Sequence, residues 1–209
     1  MNTKLPVVLL SFLISASALA APTCQPLPAV QAVLDIVKAH GNALDQLTEA
    51  SVPKLRAKRD DDAKKVIQEI PVSKVSNVDV PGDDHSIPVR IYQPNVASGQ
   101  SVAAKLPVLV FIHGGGWTLG SLDTYDSMTR ELAAKTPAVV VSIGYRLAPE
   151  HPYPAGLNDV EAALAWIAKN IEKYSGNPYR IALAGDSGGA NLATVVARHP
   201  EKNRSYAGF

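Results

Sequence analysis

The chain has 209 residues, 46% of them hydrophobic, with 20 lysine and arginine against 19 aspartate and glutamate side chains and a formal net charge of +1 at pH 7. That balance fits one globular domain of ordinary composition and gives no electrostatic reason to expect a nucleic-acid or acidic-surface partner. A single cysteine, Cys24, excludes an internal disulfide and a cysteine-built metal site.

Lys4, the apolar stretch 5–14 and the small-residue pattern Ala18-Leu19-Ala20 predict a secretory signal peptide over 1–20. The implied protein is secreted or periplasmic, with no membrane span after cleavage. An N-terminal anchor is the competing reading, but the apolar run is shorter than the roughly 20 residues a spanning helix needs. Residues 21–74 then read as helical. Val30, Val33, Leu34 and Val37 recur at helical spacing over 29–38, with Gly41-Asn42 as a stop, and a second helix is expected over about 53–70. The charge-dense run 54–65 mixes both signs and reads as a solvated helix face.

The runs 75–80 and 87–92 are rich in β-formers and separated by Pro81-Gly82-Asp83-Asp84, which predicts an antiparallel hairpin. A polar loop follows over 94–105. From Leu106 strands and helices alternate: strand 106–112, a helix near 125–135, strand 138–143, a helix near 158–174 ended by Gly176-Asn177-Pro178, strand 181–184, and a helix over 190–198. Alternation of this kind, with near-continuous apolar strands, predicts an α/β fold whose mostly parallel sheet carries helices on both faces.

Two motifs sit at strand ends. Strand 106–112 runs into His113-Gly114-Gly115-Gly116-Trp117, where successive glycines let backbone N–H groups turn inward, as an oxyanion hole requires. The P-loop lysine is missing, so a phosphate cradle is discounted. Strand 181–184 runs into Gly185-Asp186-Ser187-Gly188-Gly189, a nucleophile-elbow pattern that makes Ser187 the candidate nucleophile. A glycine-rich turn with an incidental serine is the bland alternative.

With Tyr145-Arg146-Leu147-Ala148-Pro149-Glu150 and the following His151-Pro152-Tyr153-Pro154-Ala155, these blocks resemble the hormone-sensitive-lipase-like branch of the α/β-hydrolases. The resemblance reaches from the first helix to about residue 199. It implies carboxylic-ester hydrolysis on short to medium acyl esters, through an acyl-enzyme at Ser187 and without metal or cofactor. It also implies an oxyanion hole from the N–H groups of Gly115, Gly116 and Gly188. By the same resemblance His113 serves loop structure, and the N-terminal helices cap the site. Two departures stand out: Gly188 where the family usually has alanine, and Gly144 where an aspartate often precedes the tyrosine.

Asp186 adjoins the nucleophile and cannot turn back on it, so a bracing role is expected. Arg146, Glu150 and His151 read as an internally bonded loop, and Trp117 and Leu119 as candidates to line an acyl pocket. Triad order in this fold is serine, then acid, then histidine. After Ser187 the chain offers His199 before Glu201, and His199 would lie about 18 Å along a continuous helix. The expectation is therefore a partial hydrolase domain over 75–209, its last strands and its triad acid and base missing, and a truncated, inactive form. Two alternatives stay open: a non-catalytic small-molecule-binding protein on the same scaffold, as in plant gibberellin receptors, and hydrolysis of amides or carbohydrate esters.

Overall fold

The computed structural model describes residues 25–40, 47–66, 70–95 and 105–198. The expected signal segment, Cys24, His199 and Glu201 lie outside the described residues. Helix α1 (Pro28–His40) belongs to a separate compact unit from the rest of the chain, which begins at Leu47.

In that second unit, helix α2 (Val52–Val66) leads to β1 (Lys74–Pro81) and β2 (Ser86–Gln93), an antiparallel hairpin closed where Gly82 N–H donates to the His85 carbonyl at 2.8 Å. Then come β3 (Leu106–Ile112), α3 (Asp126–Lys135), β4 (Val139–Ile143), α4 (Ala155–Asn170), β5 (Gly176–Gly185) and α5 (Ser187–Ala197). The strands form one sheet in the order β1-β2-β4-β3-β5. β3 is parallel to both β4 and β5, and β2 is antiparallel to β1 and β4.

Strand alternation sorts the core into two layers. Val139, Val141 and Ile143 of β4 pack with Val108, Val110 and Ile112 of β3 against α4 and α5. Val140 faces the other way and packs with Tyr92 and with Ala133 of α3. Every residue of β4 is buried, as a strand covered on both faces must be. The helical stripe Val160, Ala163, Leu164, Ile167 and Ile171 is fully buried. Burying each of the larger side chains in it contributes roughly 1.5–3 kcal/mol.

Three boundaries differ from the sequence reading. α4 ends at Asn170 and tightens into a 3-10 turn, Ile171–Tyr174, closed by Ser175 in the left-handed region. Gly176-Asn177-Pro178 does not merely stop the helix: it opens β5, because Gly176 pairs with Leu106. A Cβ on Gly176 would lie 2.5 Å from Ile171 Cγ1 and 2.8 Å from Val108 Cγ2, so these side chains would have to shift for any other residue to start the strand. α5 starts at Ser187 rather than at residue 190, since Gly189 and Ala190 N–H both donate to the Asp186 carbonyl.

The buried phenols give the fold an alkaline limit. Burial pushes the Tyr92 and Tyr145 hydroxyls above the ordinary tyrosine range and, with the Asp186 carboxylate as a further cause, pushes Tyr125 up to about 12. Between the unfolded value of about 10 and the folded values, the native state holds protons that the unfolded chain has lost. This stability is complete below about pH 10 and falls as pH rises through the folded values. The unfolding midpoint should therefore drop steeply above about pH 10, in step with phenolate absorbance. Full phenolate absorbance with an unchanged midpoint would contradict it.

Candidate active site

Strand register builds the site. β3 and β5 are hydrogen-bonded neighbours with Ile112 opposite Gly185, so the glycine loop after β3 and the turn after β5 leave the sheet side by side. Both leave at the carboxyl ends of parallel strands, where open α/β sheets bind ligands. The approach is close enough to dictate residue type. A Cβ on Gly185 would lie 2.6 Å from the Ile112 carbonyl oxygen, and one on Gly189 only 2.0 Å from it. Glycine at both positions is thus a packing requirement imposed by β3.

Ser187 sits between them at φ 46°, in the left-handed region that costs a non-glycine residue about 1–2 kcal/mol. Strain of this kind persists where surrounding structure over-determines it. Here α5 begins at the serine itself, and the N–H groups of Gly189 and Ala190 are committed to the Asp186 carbonyl. Among the described residues Ser187 Oγ has no hydrogen-bond partner.

Asp186 joins the two motifs. Its Oδ1 accepts Gly114 N–H at 2.7 Å, and its Oδ2 accepts the Tyr125 hydroxyl at 2.9 Å. A Cβ on Gly114 would lie 2.3 Å from that carboxylate. The loop tip is held from the other side, where Trp117 Nε1–H donates to the Gly188 carbonyl at 3.1 Å. Gly115 and Gly116 have φ of 118° and 61°, and Trp117 shares the left-handed region at 58°. The N–H groups of Gly115, Gly116 and Gly188 have no acceptor among the described residues. A Cβ on Gly188 would meet the Trp117 ring at 3.3 Å and its backbone nitrogen at 3.4 Å, so the family's usual alanine would fit here with slight adjustment.

His113 is 1% exposed, stacked on Tyr145 at 4.4 Å between ring centroids, and its Nδ1–H donates to the Gly114 carbonyl at 2.9 Å. Burial holds its pKa below the ordinary histidine value, so it is neutral at pH 7. The Tyr145 hydroxyl donates to the His113 carbonyl at 2.7 Å, fixing the root of the glycine loop.

The Tyr-Arg-Leu block is internally bonded only in part: His151 N–H donates to the Leu147 carbonyl at 3.0 Å, but the Arg146 and Glu150 side chains bond outside the loop. Arg146 forks onto Asp159 of α4, with Nε and a terminal nitrogen 2.9–3.1 Å from the carboxylate, and Glu150 accepts two hydrogen bonds from Arg56 of α2. The run 54–65 is correspondingly not all solvated face. The sequence reading gave no role to Arg56, to Tyr125 or, beyond its place in the family-like block, to Tyr145. The 56, 60, 64 spacing along one helix face was the available signal for the first.

A cleft of about 410 Å³ opens beside the loop, lined by Gly116, Trp117, Tyr145, Tyr153, Asn191 and Val195 among others. Asn191 lies one helical turn beyond Ser187. Trp117 is 47% exposed in this cleft, whereas Leu119 is buried and does not line it. A second cleft of about 540 Å³ lies between Arg59 of α2 and Gly114, Gly115 and Tyr125.

Residues 109–207 match a family model described as the alpha/beta hydrolase fold. The chain has the α/β-hydrolase fold and resembles its hormone-sensitive-lipase-like branch. The chain is 54% identical over 112 residues to Carboxylesterase NlhH of Mycobacterium tuberculosis, a match covering 54% of this chain and 34% of that protein. It is 34% identical over 197 residues to Lipase 2 of Moraxella sp., covering 86% of this chain and 45% of that one. The solved hyperthermophilic esterase from Pyrobaculum calidifontis superposes with a TM-score of 0.72 at 34% identity, over 88% of this chain and 56% of the esterase. The chain thus matches about half or less of these two curated relatives' lengths.

Proposed function

We propose that this chain carries the nucleophile and oxyanion-binding half of a serine carboxylic-ester hydrolase acting on short to medium acyl esters. The observation that carries the reading is the Ile112–Gly185 register, which sets a strained serine beside a loop of uncommitted N–H groups. Ser187 Oγ attacks the ester carbonyl carbon as its proton passes to a base. The carbonyl oxygen takes the negative charge and accepts hydrogen bonds from Gly115, Gly116 and Gly188 N–H. Collapse expels the alcohol, leaves the acyl group on Ser187, and water then releases the acid. The named activities of the relatives, carboxylesterase, lipase and esterase, support this substrate class.

Among the described residues the base is the unfilled role. Among the described residues no histidine is hydrogen-bonded to Ser187, and His113 is neutral but sealed beneath the loop. A general base has to come within about 3 Å of the proton it takes. Purified 1–209 should therefore hydrolyse p-nitrophenyl butyrate only slowly. Loss of triad function in a complete site costs about a millionfold. Ser187-dependent turnover in the usual enzyme range of about 1–1,000 per second would mean that a base does reach Ser187.

A further inference from the structure

Helix α2 contributes almost nothing to the hydrophobic core. Of its described side chains only Val52 is buried, and neither buried cluster contains an α2 residue. What holds it is a polar stripe. Arg56, Asp60 and Lys64, each one turn apart, meet the segment that runs out of the glycine loop. Arg56 Nε–H donates to the Thr118 carbonyl at 2.7 Å, Asp60 accepts the Ser121 hydroxyl at 2.5 Å, and Lys64 lies 3.6 Å from the Asp123 carboxylate.

Arg56 does more than hold its own helix. One terminal nitrogen forks onto both Glu150 oxygens at 2.9 Å, and the other donates to the Ala148 carbonyl. A single planar guanidinium thus ties the glycine loop to the loop after β4. Those two loops are also joined by Ala148 N–H donating to the Trp117 carbonyl at 2.9 Å and, at the root, by the Tyr145 hydroxyl on the His113 carbonyl. The tie adds to the loop's own bonds, in which Thr118 and Leu119 N–H donate to the Gly115 carbonyl at 3.2 and 2.9 Å. Three of its seven residues from Gly114 to Gly120 are glycines at positive φ, and Trp117 is strained besides. Backbone donors stabilise an oxyanion only when they are already aimed at it.

We infer that Arg56 is a positioning residue for the oxyanion hole, acting through Thr118, Ala148 and Glu150 rather than on the substrate, an inference that rests on the ester-hydrolase reading. Lysine cannot replace it: a point charge on a flexible stem does not span three acceptors in a plane. Because α2 lies outside the core, Arg56→Ala should unfold with the same cooperativity as the parent.

The test is Ser187 acylation by p-nitrophenyl butyrate in the full chain, followed by mass spectrometry against ester concentration, alongside amide hydrogen exchange. Arg56→Ala should lower the limiting acylation rate by about ten- to a hundredfold, the cost of small misplacement of catalytic groups. The half-saturating ester concentration should stay unchanged. Exchange should quicken at Thr118, Leu119 and Ala148 while β3 and β4 amides stay protected. Arg56→Lys should behave like Arg56→Ala, and Lys58→Ala, on the exposed side of the same helix, like the parent. If Arg56→Ala does not fold, Glu150→Gln should give a smaller shift of the same kind. Unchanged acylation and exchange in the folded variant, or full recovery with lysine, would overturn the inference. If the parent itself shows no acylation, the ester-hydrolase reading fails, and the exchange data alone still decide whether Arg56 clamps the loop.

Discussion

Ser187→Ala should abolish acyl transfer without loss of stability, and Ser187→Gly should abolish it while raising the unfolding midpoint. Both variants remove the only group at the elbow able to form the acyl bond. In a complete serine-hydrolase site that loss is worth about a millionfold in turnover. The two differ in strain. Alanine keeps a Cβ at φ 46°, whereas glycine enters the left-handed region freely and relieves about 1 kcal/mol, less its greater unfolded-state entropy. A stability order of glycine above serine and alanine would show that the elbow is held in strain for a reason other than folding. Thermal denaturation of the three proteins checks it, and a destabilised Ser187→Gly would show that the serine is there for structure.

Gly189→Ala should be severely damaging for a change of one methyl group. Its Cβ would sit 2.0 Å from the Ile112 carbonyl oxygen and 2.4 Å from that of His113, both backbone atoms that no rotamer change can move. Relief requires α5 to back away from β3, which would carry Gly188 and Ser187 with it. Overpacking costs about 1–3 kcal/mol where side chains can adjust, and more is expected against backbone. The outcome should be poor recovery of folded protein and no labelling of Ser187. Gly188→Ala is the paired comparison. Its Cβ meets only the Trp117 ring and backbone at 3.3–3.4 Å, so it should fold normally. Equal behaviour of the two alanine variants would contradict the close approach of α5 to β3.

What the sequence makes legible is whatever depends on neighbours along the chain. The stripe of Val160, Ala163, Leu164 and Ile167 on α4 with Ile171 just beyond it is periodic, and all five are fully buried. The hairpin announces itself through Pro81 and Gly82, and the two glycine motifs through their place after apolar strands. Less legible is what depends on the partner across space. Gly176-Asn177-Pro178 has the composition of a stop, yet it opens β5 because Leu106 waits opposite Gly176.

The candidate site divides in the same way. Ser187 and the glycines can be read from local spacing, since backbone geometry is what their motifs encode. Arg56 is 62 residues from Thr118 and 94 from Glu150, and nothing in a mixed-charge helix says which cation turns inward. Tyr125 and Tyr145 look like ordinary aromatic residues until Asp186 and His113 are seen beside them. The charged run of α2 is the plainest case, a surface by composition and a clip by contact.

Peptide mass mapping after incubation with p-nitrophenyl butyrate tests the central claim most directly. Both acylation and release of the acyl group call on the same base, so an acyl-enzyme that forms slowly should also persist. The account predicts a butyryl group on Ser187, absent from Ser187→Ala and unaffected at other hydroxyls. A Ser187 left unmodified while the ester is consumed, or labelling no greater there than at other serines, would contradict it.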